Sequence, residues 1–253
     1  MQKDTLIGAV VILVVLAGIS FYVAMTPSPA QAPGAQTALP LPTGGYSEHE
    51  DYYDIEANYA TSTPLVGDAN AAAIALMQNF VKDTITQFKS DGDFANLTAE
   101  DTKVMGYDQG RKQQLQILYL MASSGRTVSY IFTIYTDTLG AHGNTFFKTF
   151  TFDTRSGVAL ALADAFTSRS DYLDKLSQIS RARLPVVIGQ DFDVAFIADG
   201  TTPEEENFQN FFFDINMLVI LFPPYQVAPY SAGPQTLRIP LSDLSSILKS
   251  EYR

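Results

Sequence analysis

Residues 5–25, TLIGAVVILVVLAGISFYVAM, form a stretch of 21 residues with no charged side chain. A helix of that length rises about 1.5 Å per residue and covers roughly 30 Å, the thickness of a bilayer core. Hydrocarbon offers no partner to a backbone N–H or C=O, so the stretch is expected to be one membrane-spanning helix. Tyr22 suits the interfacial level of such a helix. The rival reading is a cleaved signal peptide. Its one Ala-x-Ala site, Ala30-Gln31-Ala32, is followed by Pro33, which is expected to block cleavage. We therefore expect a retained single-pass anchor in the cell membrane. Lys3 precedes the span and the next Lys or Arg is Lys82. That asymmetry places Met1–Asp4 in the cytoplasm and the bulk of the chain outside it.

Residues 26–45 hold five Pro, three Gly and no charge. Proline fixes φ and donates no ladder hydrogen bond, so this stretch reads as a Pro-rich linker rather than a fold. At about 3.1 Å per residue it can reach roughly 60 Å. Residues 46–253 are left as an ectodomain long enough for a sizeable core. Lys3 and Asp4 cancel, so the whole net charge of −11 lies beyond the span. An acidic ectodomain argues against nucleic acid as a partner and suits a basic protein. The chain has no Cys and only two His, His49 and His142. That removes disulfides, thiolate metal sites and Cys nucleophiles, and leaves a multi-His zinc site short of ligands. No cofactor or metal is expected.

The ectodomain pattern is mixed. A short strand is expected near Tyr52–Ala60. Asn70 is placed to cap a helix over Ala71–Ser90, whose Ile74, Met77, Val81, Ile85 and Phe88 share a face. Leu115–Met121 and Thr127–Tyr135 flank the turn Ala122–Gly125 and read as a hairpin. A third strand over Thr145–Asp153 is expected to put Phe146, Phe150 and Phe152 on one face, before a turn at Thr154–Gly157. Ser168 and Asp171 resemble a capping box for a helix carrying Tyr172, Leu173, Leu176, Ile179 and Leu184. Thr202-Pro203-Glu204-Glu205 reads as a third helix start. A hairpin over Phe208–Phe213 and Met217–Phe222 ends at Pro223-Pro224. One more strand, Thr236–Ile239, precedes a helix capped by Ser242. Hairpins interleaved with helices predict an α+β fold with antiparallel sheets and packed helices.

No catalytic signature is present: no nucleophile elbow, phosphate loop, dinucleotide fingerprint or His-Glu-x-x-His. Acidic pairs are plentiful, which keeps a two-carboxylate glycosidase in view, but 27 acids make such pairs arise by chance. Three features stand out. In Gly140-Ala141-His142-Gly143-Asn144, glycines permit positive φ and close backbone approach. There His142 and Asn144 either meet a ligand or satisfy local backbone groups. In Pro223–Pro234, prolines including Pro224 stiffen a loop that also contains Gly233. Its Tyr225 and Tyr230 serve either as flat contact surfaces or as rings packed inward. Asp164, alone among apolar neighbours, is expected to cap a turn rather than catalyse.

The same segments carry a resemblance. Gly140-Ala-His-Gly143, Phe152-Asp-Thr-Arg-Ser-Gly157, Leu162-Ala-Asp-Ala-Phe166, Glu206-Asn-Phe208, Leu221–Gly233 and Ile239-Pro-Leu241 occur in this order. Together they resemble the PdaC/RsiV-like family. This is the extracytoplasmic module shared by an anti-sigma factor, RsiV, and the non-catalytic N-terminal part of a peptidoglycan deacetylase, PdaC. The run from Tyr225 to Gly233 is the most specific part. The likeness covers roughly residues 50–245, with 46–156 as a PdaC-like part and 157–253 as an RsiV-like part. It implies a binding module of the bacterial envelope, its ligand a wall glycan or an envelope protein such as a lysozyme-like hydrolase. A peptidoglycan-modifying enzyme working through carboxylates and His142 is the alternative, and a structural envelope spacer is another. The deacetylase chemistry of PdaC-like enzymes needs a further metal-binding domain, which is not expected here. Nor, with Met1–Asp4 alone before the span, is a sigma-binding segment.

Overall fold

The computed structural model describes residues 43–253. The expected anchor over residues 5–25 and nearly all of the linker lie outside the described residues. Among the described residues no helix is long and apolar enough to cross a membrane. The chain enters as strand β1 (Thr43–His49), whose first three residues come from the segment read above as spacer, and returns antiparallel as β2 (Tyr53–Ala60). Helices α1 (Asp68–Gly92) and α2 (Ala99–Met105) follow. Then come β3 (Gln113–Ser124), β4 (Thr127–Asp137) and β5 (Asn144–Asp153).

These strands form one sheet in the order β1-β2-β3-β4-β5. The sheet is mixed rather than antiparallel throughout: β2 and β3 run parallel, with Ile55 opposite Leu115. A parallel neighbour needs a crossover, and α1 and α2 supply it. Met77 and Val81 of α1 are buried against Ile55, Ile117, Tyr130, Phe132 and Phe152. Each such side chain contributes about 1.5–3 kcal/mol on burial. Helix α1 starts earlier than expected. Asn70 stands inside its first turn, and its Oδ1 instead accepts from the Thr63 N–H (2.9 Å) and hydroxyl (2.8 Å), tying down the incoming loop. Phe146 is 46% exposed, so it does not share the cover given to Phe152.

The second half builds its own core. Helix α3 (Tyr172–Ile188) buries Leu176, Ile179 and Leu184. Helix α4 (Val194–Gly200) follows, then the sheet β6-β7-β8 (Phe211–Asp214, Met217–Phe222, Gln235–Pro240). Asp171, not Ser168, holds the position before α3, and no side chain caps it. The Thr202-Pro203 signal yields only one 3-10 turn, Glu205–Phe208. Asn207 Nδ2 donates to the Thr202 hydroxyl (2.6 Å) and closes that segment tightly. Ser242 likewise sits within a 3-10 turn, Leu241–Leu244.

Strand β6 lies across the face of the first sheet opposite α1. The Phe211 N–H donates to Thr149 Oγ1 (3.0 Å), and Thr151 Oγ1 donates to the Phe211 carbonyl (3.2 Å). Ser129 and Thr151 share a further bond (2.9 Å). Buried hydroxyls need partners, and here those of Thr149 and Thr151 tie β6 to the first sheet.

Candidate functional site

The β4–β5 connection begins with a tight reversal in which Leu139 takes φ +64° and donates its N–H to Asp137 Oδ1 (2.8 Å). The positive φ expected at the glycines therefore falls on Leu139. Gly140 is exposed and a Cβ there would meet nothing within 4 Å. Gly143 is needed for close approach instead, because a Cβ would sit 2.2 Å from the Tyr135 hydroxyl oxygen. Burial, then Asp137 and Tyr230, push the Tyr135 phenol up.

The loop after β7 starts with a hydrogen-bonded turn, Gln226 N–H to Pro223 C=O (3.2 Å). Pro224 presets φ at its second position. Tyr225 occupies the third with φ +70°, where type II turns favour glycine or asparagine. That conformation costs a tyrosine roughly 1–2 kcal/mol. The surroundings hold it. Gln226 Nε2 donates to the carbonyls of Gly200 (2.9 Å) and Asn207 (3.0 Å), and Val227 and Ala228 are buried. Gly200 admits this contact because it lacks a Cβ, which would lie 1.8 Å from the Gln226 carbonyl oxygen. Further on, a 3-10 turn, Tyr230–Ala232, is closed by Gly233 at φ +68°.

The two loops meet. The His142 ring stacks on Tyr230 with centroids 3.8 Å apart and planes at 18°. The Tyr230 hydroxyl donates to the Gly143 carbonyl (2.7 Å), and His142 Nδ1 lies 2.9 Å from the same oxygen. His142 Nε2 lies 3.1 Å from the Tyr225 hydroxyl. One proton arrangement satisfies every contact: Nδ1–H donates to Gly143, and the Tyr225 hydroxyl donates to Nε2. The result is an aromatic platform. Tyr230 is half-buried, His142 is exposed, and Tyr225 is 51% exposed beside Tyr230, ring centroids 5.5 Å apart. Such a surface can stack on a sugar ring or an apolar side chain, and the His–Tyr hydrogen bonds fix its shape.

Of the residues singled out from the sequence, His142, Gly143, Tyr225 and Tyr230 come together, with Pro224 and Gly233 shaping the loop. Asn144 does not join them; its Oδ1 accepts from the Thr145 N–H (3.0 Å) at the start of β5. Asp164 is remote in role: it accepts from the Ala161 N–H (2.9 Å) and caps the 3-10 turn Leu162–Ala165. Sequence reading missed Tyr135, Gln226 and Gly200, which act through shape. It also missed an exposed array on β1 and β2. There His49 Nδ1 lies 3.0 Å from Asp54, and His49 Nε2 lies 3.1 Å from Glu56 and 3.0 Å from Ser47. Alternation along a hairpin, 47 and 49 against 54 and 56, is the signal that could have found it. Glu56 accepts the Ser47 hydroxyl (2.8 Å), so the array is a cross-strand tie. Among the described residues no three His, Cys, Asp or Glu are grouped to hold a metal ion.

Fold and site together define an α+β module with a mixed five-stranded sheet, a three-stranded sheet and an aromatic surface at one loop junction. Residues 163–242 match the model of a family described as Protein of unknown function (DUF3298). The platform straddles the boundary of this match: Tyr225 and Tyr230 lie inside the matched region and His142 outside it. The chain is 30% identical over 197 residues to the peptidoglycan-N-acetylmuramic acid deacetylase PdaC of Bacillus subtilis. That match covers 77% of this chain and 40% of the relative, well under half of its length. Two crystal structures share the fold. A DUF3298 family member from Bacteroides fragilis superimposes with a TM-score of 0.58 at 14% identity, over 83% of this chain and 94% of that one. A DUF3298 family protein from Pseudomonas aeruginosa gives 0.51 at 16% identity, over 84% and 96%.

Proposed function

We propose that this chain is a membrane-anchored, extracytoplasmic binding module of the bacterial envelope, whose Tyr225–His142–Tyr230 platform holds a cell-wall glycan. The observation that carries the reading is Tyr225 itself. A tyrosine kept half-exposed at φ +70° by buried neighbours on both sides of the loop is strain maintained at a surface. Stacking an aromatic face on the apolar face of a sugar gives that strain a use. The relative is named as a deacetylase of peptidoglycan, which supports a wall ligand for this chain too. The anchor and linker would carry the platform from the membrane toward the wall. Nothing in this role needs bond chemistry, and the module acts by holding.

A basic envelope protein is the second reading, favoured by the net charge of −11 carried beyond the first 25 residues. One experiment separates the two. The full chain is incubated at low salt with insoluble purified peptidoglycan and, in parallel, with immobilised lysozyme. Co-sedimentation with the wall that is lost in Tyr225→Ala supports the glycan reading. Salt-sensitive capture by lysozyme alone supports the protein reading. Retention by neither removes both.

A further inference from the structure

The first sheet ends at β5 in an edge that is only partly paired. The Thr151 carbonyl accepts from the Leu160 N–H (2.7 Å), and the Asp153 N–H donates to the Val158 carbonyl (3.0 Å). Odd-numbered residues of β5 therefore aim their backbone groups away from β4, while even-numbered ones pair with it. The segment Val158–Leu160 covers this edge only at Thr151 and Asp153. By the same alternation Thr145, Phe147 and Thr149 also face outward. The Thr145 N–H is taken by Asn144. The Thr145 carbonyl, and the N–H and carbonyl of Phe147 and Thr149, have no partner among the described residues. Sheet edges of this kind are templates for another strand.

A cleft of about 250 Å³ opens against this edge, and its lining includes Thr149, Leu162, Tyr172, Glu205 and Phe211. The lining is mostly apolar, and its charged members are Glu205 and Lys148, the latter turned over the Phe150 ring (5.4 Å to the centroid). The Tyr172 hydroxyl donates to Glu205 Oε1 (3.1 Å), which orients the carboxylate and leaves Oε2 for another donor. Burial first, then Glu205, pushes Tyr172 up to about 12, so it stays a neutral donor at any physiological pH. Glu204 and Glu206 are exposed beside it. An extended backbone laid along β5 meets donors and acceptors at alternate residues, and its side chain over the cleft meets apolar walls and a carboxylate.

We propose that the β5 edge at Thr145–Thr149 takes an extended peptide in strand addition, with a Lys or Arg side chain seated against Glu205. Backbone pairing supplies affinity and the cleft supplies selection for a cation with an aliphatic stem. This site is separate from the aromatic platform, and it stands whether or not the platform binds glycan.

The test uses the full chain and a fluorescent acetyl-Ala-Val-Lys-Val-Ala-amide probe, read by anisotropy. Saturable binding is expected. N-methylation at alternate residues, which removes the edge-facing N–H groups, should weaken it about tenfold or more. Lys→Glu in the probe, or Glu205→Gln in the protein, should weaken it about fivefold or more. Glu205 is exposed, so that variant is expected to fold, and a thermal melt checks it. Tyr225→Ala should leave probe binding unchanged. No saturable binding, or binding indifferent to N-methylation and to Glu205→Gln, overturns the proposal. So does an edge occupied by a second copy of the chain, seen as a dimer that Phe147→Pro dissociates.

Discussion

His142 lies flat on Tyr230, centroids 3.8 Å apart, although one belongs to the β4–β5 connection and the other to the loop after β7. The contact couples the two halves of the described fold at one surface point. It places a hydrogen-bonding edge of His142 against Tyr225, and so sets where the exposed ring stands.

Tyr225 holds a conformation that asparagine adopts more readily. Tyr225→Asn is expected to match or exceed the parent in stability, by up to about 1 kcal/mol, while removing the contact surface. Urea unfolding measures the first effect and wall co-sedimentation the second. A loss of more than about 1 kcal/mol would show that the ring stabilises the loop rather than serving a ligand.

The two glycines around His142 should differ sharply. Gly143→Ala drives a Cβ to 2.2 Å from the Tyr135 hydroxyl and is expected to cost about 1–3 kcal/mol. Gly140→Ala meets open space and should stay within about 0.5 kcal/mol of the parent. Paired thermal melts check both.

Gly200 is the support beneath the Tyr225 turn. In Gly200→Ala the new methyl group would lie 1.8 Å from a backbone oxygen, so the loop must move. A loss of about 2 kcal/mol or more is expected, with weakened wall binding even under conditions where the variant remains folded.

Acid should unfold the folded region through Asp153. Its burial alone would raise the pKa, but the Ser156 N–H, the Arg126 guanidinium, the Tyr252 hydroxyl and the Arg155 N–H outweigh this and hold it at about 2. A carboxylate depressed on folding contributes stability that is complete above its unfolded pKa of about 4 and fades as pH falls toward 2. Asp153→Asn is therefore expected to lower stability at pH 7 and to flatten the loss between pH 4 and 2. An unchanged acid limb would move the effect to Glu48, which Lys89, Tyr46 and Tyr53 also hold at about 2.

Local pattern carried much of the fold. Alternation found β2 through β5, and Pro223-Pro224 marked the end of β7, because these signals lie within a few residues of one another. Helix starts fared worse. Thr202 and Ser168 have the right chemistry for a cap, yet tertiary contacts decide whether a turn extends, and Asn207 takes the Thr202 hydroxyl instead. The parallel pairing of β2 with β3 depends on where a crossover lands, which periodicity does not encode. At the site, composition pointed to His142, Tyr225 and Tyr230 one by one. Their meeting was not legible, since it depends on two glycines, Gly143 and Gly200, whose missing Cβ atoms matter only to residues distant in the chain.

The central claim is that the exposed face of Tyr225 binds wall glycan. Its most direct measurement is the affinity of the full chain for soluble peptidoglycan glycan fragments, compared among parent, Tyr225→Phe and Tyr225→Ala. The account predicts that Tyr225→Phe, which keeps the ring, binds within about threefold of the parent, and that Tyr225→Ala binds at least about tenfold more weakly. Equal affinity for parent and Tyr225→Ala would contradict it.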